Sequence, residues 1–135
     1  GCNLLTKDWH AKFSNDKNVT PLALQLNDPA SIYSTYKRFI NYRNHSRVLQ
    51  VGEIQKTEIT EKGILSYYRT FNAAKIIVVH NLTSTKKSFS LKGEDAEMTF
   101  PVVQYEQDSK VTNGVLSIAP YSTLILQKAA MPAGK

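Results

Sequence analysis

Paired carboxylates, a histidine beside a nucleophile, or a cluster of metal-ligating side chains are the first features to seek in an unfamiliar chain. The carboxylates from Glu53 onward, Glu53, Glu58, Glu61, Glu94, Asp95, Glu97, Glu106 and Asp108, fall in predicted turns or near strand edges. Glu94, Asp95 and Glu97 are the densest group. They follow Gly93 in a polar run, and a solvated turn is the preferred reading over a catalytic pair. His10, His45 and His80 share no spacing that would make a metal site, and Cys2 is the single cysteine. That excludes an internal disulfide framework and a cysteine zinc site. No Gly-x-Ser-x-Gly elbow and no glycine-rich phosphate loop occurs. The sequence therefore assigns no catalytic residue, no metal ligand and no cofactor site.

Binding chemistry is the next possibility. A sugar-binding surface needs exposed aromatic faces, and Trp9, Tyr105 and Tyr121 are the candidate glycan contacts, with core or interface packing the favoured alternative. Tyr67 and Tyr68 are adjacent on a predicted strand, so they point to opposite faces and form no common platform. The net charge is +6, from 17 basic and 11 acidic residues, but no block of five like charges occurs. Dispersed basic residues without interleaved aromatics read as a solvated surface, so no nucleic-acid partner is expected. No apolar run is long enough for a membrane span. Asn18, Asn44 and Asn81 head formal glycosylation sequons, and Asn81, at a strand end, reads as a turn-former.

The elements that would position such residues are mostly strands. Residues 64–71 alternate, with Leu65, Tyr67, Arg69 and Phe71 on one face and Ile64, Ser66, Tyr68 and Thr70 on the other. Ile76, Ile77, Val78 and Val79 are apolar without interruption, which predicts a central strand covered on both faces. Ser88–Leu91 alternates again. Glu53–Ile59 reads as a strand near an edge, Met98–Tyr105 as a strand whose Pro101 demands an edge or a bulge, and Asn113-Gly114 as a two-residue hairpin turn. Thr123–Leu126 is a last apolar strand. Before them all, Asp28-Pro29 predicts a helix start, with Asp28 as the N-cap. Ile32, Tyr36, Phe39 and Ile40 then recur at helical spacing, and the helix should end near residues 44–46. Pro21 is expected to block a helix through residues 19–24.

Two stretches resemble the C-terminal part of the α-amylase family. Gln25, Asp28, Ser31, Tyr36-Lys37-Arg38-Phe39-Ile40, Arg43, His45 and Gly52 are similar in order and spacing to the last barrel helix of those enzymes. Ser66-Tyr67-Tyr68-Arg69 and Val78-Val79-His80-Asn81-Leu82-Thr83 are similar to strands of the accessory domain that follows it. The departure is Ser46-Arg47, where the family usually has Pro before a small residue, so the local turn is open. The resemblance implies a C-terminal antiparallel Greek-key sandwich behind a (β/α)8 barrel, in a bacterial extracellular, periplasmic or cell-surface parent. That parent would cleave α-glucosidic bonds in starch-like glucans by a retaining mechanism. The family's catalytic carboxylates lie on barrel strands, and none is carried over to this sequence.

Together these readings predict a mainly β fold: an antiparallel Greek-key β-sandwich of seven or eight strands preceded by one amphipathic α-helix. The expected organisation is an irregular tail over 1–27 from an upstream barrel, the barrel-type helix over 28–49, the sandwich over 50–128 and a frayed tail over 129–135. The chain opens without an initiating Met and in mid-pattern, which predicts a piece of a longer protein. The expected partner is the catalytic barrel of the same parent, met by a packing face of Ile32, Tyr36, Phe39 and Ile40, with α-glucan as a candidate ligand. A self-standing carbohydrate-binding module and a basic nucleic-acid adaptor are the alternatives.

Overall fold

A computed structural model describes residues 20–105 and 108–128. The chain divides after Lys37 into two units. In the first, α1 (Leu22–Gln25) is one helical turn that starts directly after Pro21. Helix begins only after Pro21, which is itself extended, but residues 22–24 within the expected gap are helical. The long helix α2 (Ile32–His45) begins later than Asp28. Asp28 Oδ1 instead accepts from the Ala30 N–H (2.9 Å). Ser31 takes the capping role: its Oγ accepts from the Ser34 N–H and its carbonyl from the Thr35 N–H. Gln25 fixes this start, since its Oε1 accepts from the Tyr33 N–H (3.1 Å) while its Nε2 donates to the Thr20 carbonyl (2.7 Å). The spaced Gln, Asp and Ser of the helix motif are thus a capping network.

The second unit holds the rest of α2, the short helix α3 (Arg47–Val51) and eight strands. Ser46, in extended conformation, separates the helices, and its carbonyl accepts from Leu49 and Gln50 N–H. The strands are β1 (Glu53–Lys56), β2 (Ile64–Phe71), β3 (Ala74–Asn81), β4 (Lys87–Ser90), β5 (Phe100–Gln104), β6 (Lys110–Thr112), β7 (Val115–Ile118) and β8 (Thr123–Gln127). They form a five-stranded sheet ordered β1-β2-β3-β8-β5 and a three-stranded sheet ordered β4-β7-β6. Every pairing is antiparallel. The last strand, β8, inserts between β3 and β5, which gives the sandwich its Greek-key character.

Local chemistry explains the joints. Asn113 (φ 50) and Gly114 (φ 74) make the β6–β7 turn, and both positive values match the twist of a two-residue hairpin. Gly63 (φ 82) sits against Thr83, whose Cγ2 lies 2.3 Å from where a Cβ would stand. Pro101 lies in the edge strand β5 at a register shift, so its missing donor leaves no ladder bond unmade.

β3 is covered on both faces. Ile77 and Val79 join Tyr68, Leu116, Leu124 and Leu126 in the core between the sheets. Ile76 and Val78 face the other way, into a second cluster with Val48, Val103 and Ile125. Phe39 and Tyr42 of α2, with Leu49 of α3, pack on that second cluster. The unit therefore has three layers, helical segments on a large sheet on a small one.

Candidate functional site

The acidic cluster shows what this unit does with charge. Gly93–Glu97 is a 3-10 turn, and Asp95 within it is 2% exposed. The expectation of a merely solvated turn is corrected there. Tyr68 of β2 donates its hydroxyl to Asp95 Oδ1. Glu94 pairs with Lys75 of β3, and Glu97 with Lys128 just after β8. The Lys75 ammonium also lies over the Tyr68 ring (4.0 Å). Burial, helped by the Asp95 bond, pushes the Tyr68 phenol well above its usual range. Lys75 holds the Glu94 carboxyl below its usual value. The carboxylates clasp the turn to three strands of the large sheet, a structural task. Among the described residues no group of three or more His, Cys, Asp or Glu side chains is placed to hold a metal ion.

Two residues of the strand motifs are likewise staples. Asn81 is 1% exposed at the end of β3. Its amide donates to the carbonyls of Thr85 (2.8 Å) and Ala119 (2.9 Å), and its oxygen accepts from the Thr83 N–H (3.0 Å) and hydroxyl (2.7 Å). A side chain so engaged is no glycosylation acceptor. Arg69 of β2 reaches from the sheet to α3, donating to the carbonyls of Leu49 (2.9 Å) and Val48 (3.3 Å). The Leu49 carbonyl lies in the last turn of a short helix, where a cation satisfies it well, and the Val48 carbonyl also accepts from the Gly52 N–H.

What remains available is apolar surface. On the helix-side face of the large sheet, Phe71, Ile76 and Val78 lie under the helices, whereas the other end is bare. Leu65 of β2, at that end, is 50% exposed, and Ile54 of the edge strand β1, opposite Arg69, is 67% exposed. Tyr67 follows Leu65 along the face toward the helices and His80 pairs with Leu65; the Tyr67 and His80 rings are 5.9 Å apart, with His80 Nδ1 2.8 Å from Thr123 Oγ1. Partial burial lowers the His80 pKa from the usual 6.5. Leu82 and Tyr121 are exposed beyond the ends of β3 and β7.

The residues singled out from sequence scatter over this framework. Ile32 and Tyr36 in the first unit and Ile40 in the second are exposed on α2. Phe39, expected on the same packing face, turns to the sheet core instead. The apolar arc of α2 is wide enough to serve two surfaces, and the sheet takes one border of it. Tyr105 follows β5 with its N–H bonded to the Thr123 carbonyl (2.9 Å), and Tyr121 lies in the turn before β8. Trp9, His10 and Glu106 lie outside the described residues. Leu65 and Ile54 were not singled out as surface: alternation placed Leu65 on a face, but only the reach of the helices decides which part of that face stays bare. No helix among the described residues is long and apolar enough to cross a membrane.

Comparison with known proteins fits this geometry. Residues 64–125 match the family model described as the alpha-amylase SusG C-terminal domain. The chain is 31% identical over 110 residues to alpha-amylase 3 of Dictyoglomus thermophilum, covering 82% of this chain and 21% of that protein. It is 27% identical over 84 residues to trehalose synthase of Thermus thermophilus, covering 62% of this chain and 9% of that one. The fold matches a MutB mutant solved with the substrate sucrose at a TM-score of 0.68, over 78% of this chain and 19% of that one at 21% identity. An isomaltulose synthase mutant from Erwinia rhapontici, solved with D-glucose, gives 0.67 over 80% and 20% at 22% identity. The chain thus spans about a fifth of the length of the α-amylase relative. It is homologous to the C-terminal region of α-amylase-family glycoside hydrolases, and residues 64–125 are the part that matches the model of the C-terminal domain.

Proposed function

We propose that this region packs against and stabilises the catalytic barrel of its parent chain, a retaining glycoside hydrolase acting on α-glucans such as starch or maltooligosaccharides. The observation that carries the reading is the half-covered sheet face: helices close one end over Phe71, Ile76 and Val78, Leu65 stands bare at the other, and Ile54 is bare on the edge strand β1 opposite Arg69. Apolar side chains left uncovered on a face that is elsewhere buried suit an interaction surface. The acidic cluster, the residues most able to do chemistry, is committed to cross-links. Catalysis by two carboxylates across the scissile bond is the work of the barrel.

The test is hydroxyl-radical footprinting of the 135-residue chain beside its full-length parent. Leu65 and Ile40 should react in the isolated chain and be protected several-fold in the parent. Equal labelling in the two contexts would sink the proposal. A self-standing α-glucan-binding module would instead leave these residues labelled in both and show saturable chemical-shift changes with a maltooligosaccharide. A nucleic-acid adaptor has less in its favour, since Lys75, Lys87 and Lys128 are paired with Glu94, Glu61 and Glu97.

A further inference from the structure

Among the described residues, three non-glycine residues hold a positive φ: Asn72, Asn113 and Tyr121. Two are asparagines in hairpin turns, where that side chain tolerates the left-handed region. Tyr121 (φ 48) has no such chemistry, and a bulky residue there is a true outlier. Its surroundings impose the conformation. The Tyr121 N–H donates to the Thr83 carbonyl (3.1 Å), and the carbonyl of buried Ser122 accepts from the Asn81 N–H (2.9 Å). Asparagine or glycine would hold the same turn with less strain. The fold thus uses the Tyr121 backbone and leaves its ring unused: the residue is 67% exposed. Strain kept at a position whose side chain packs on little within the chain points to a contact made outside it.

The neighbourhood defines that contact. Leu82, exposed, directly precedes the residue whose carbonyl accepts from Tyr121. Tyr105, also exposed, bonds through its N–H to Thr123, two residues further on. Leu65 pairs with His80, and His80 with Thr123, so the bare end of β2 lies at the same end of the sheet. The corner therefore adjoins Leu65, and Leu82 adds a second exposed apolar side chain.

We propose that Tyr121 is the aromatic anchor by which this unit grips the rest of its parent chain, its ring entering an apolar recess that offers an acceptor to the phenol hydroxyl. This rests on the docking reading above. Relatives of which this chain covers about a fifth supply the partner surface. A rigid aromatic with a polar tip is the side chain that most often dominates such a contact.

The experiment reads one substitution in two contexts. Tyr121→Asn relieves the backbone in the 135-residue chain and should raise its Tm by roughly 4 °C. In the full-length parent the same change removes the anchor, so the Tm of this region should fall and footprinting at Leu65 should rise. Tyr121→Gly should repeat the pattern, and Tyr121→Phe, which keeps the ring, should retain most of the protection. A change of the same sign in both contexts overturns the proposal. If Leu65 and Ile40 are protected in the wild-type parent while Tyr121 is labelled equally in chain and parent, the anchor fails and the docking reading stands. If none of the three is protected, the docking reading itself fails. Saturable shifts at Tyr121 on titrating the chain with maltoheptaose would also overturn the proposal, in favour of a glycan contact.

Discussion

The two faces of the five-stranded sheet are built from the same four or five strands, yet one is finished within the chain and the other is not. Between the sheets, Ile77, Val79, Leu116, Leu124 and Leu126 are buried, and Tyr68, Asp95 and the flanking ion pairs close the border. On the opposite face the helices bury Ile76, Val78 and Ile125 and then stop, leaving Leu65 and Ile54 bare. A sandwich needs only its inner face to fold. The outer face carries more apolar residue than folding requires, and that excess is where function should be sought.

The comparison makes its strongest demand at Asn81, which ties the end of β3 to the loop after it and to the β7–β8 connection. Asn81→Ala leaves the carbonyls of Thr85 and Ala119 and the Thr83 N–H without partners in a closed site. We expect a loss of about 4 kcal/mol by chemical denaturation, near the upper end for a single substitution. A loss within the range of a surface change would mean that the inner face is not the stabilising one. Next comes Arg69, the bridge from the sheet to α3. Arg69→Met keeps the length of the stem and removes both bonds to the helix carbonyls, for about 2 kcal/mol. Because the damage lies on the outer face, hydrogen exchange should quicken at α3 and hold steady in β7. Equal acceleration in both would break the distinction between the faces.

The sequence reading went furthest where a residue's job is local. The β-branched run of β3, the Asn113-Gly114 turn and the Pro101 bulge follow from backbone chemistry within a few residues, and all three are present. It fell short where the deciding partner is distant. Asp28 and Ser31 are both good N-caps by type, and Gln25, eight residues before Tyr33, tips the choice to Ser31. Asp95 looked like a solvated turn residue because its partner Tyr68 is 27 positions away. Phe39 shares a helical arc with Ile32, Tyr36 and Ile40, and no periodicity shows where the sheet's claim on that arc ends. The motif residues Arg69 and Asn81 were visible as a resemblance, but their role as staples needed the geometry.

A smaller effect should come from His80, set on the outer face between Tyr67 and Thr123. Burial lowers its pKa in the folded chain below the usual 6.5, so the unfolded chain binds the proton more readily. Its contribution is present in full above about pH 6.5 and is lost as pH falls from there through the lower folded value. Stability should therefore decline between pH 7 and pH 5, a window above that in which Glu94, also lowered, would contribute. His80→Gln keeps a polar group facing Thr123 and does not titrate. It should flatten the profile in that window, and an unchanged slope would assign the decline elsewhere.

The smallest effect expected on the chain itself is also the sharpest probe of the comparison. Leu65→Lys places a charge where a half-exposed leucine stood, and its long stem can lie along the sheet with the ammonium in water. Stability of the 135-residue chain should move by no more than about 0.5 kcal/mol. The same substitution at Leu124, on the inner face, would bury an unpaired charge and prevent folding. Binding of a hydrophobic dye should fall in Leu65→Lys, since the apolar patch is interrupted without loss of the core. In the full-length parent the lysine would have to be desolvated against the barrel, and the interface should open. If Leu65→Lys instead unfolds the isolated chain, the bare end of the sheet is part of its core, and the two faces do not differ in the way their burial implies.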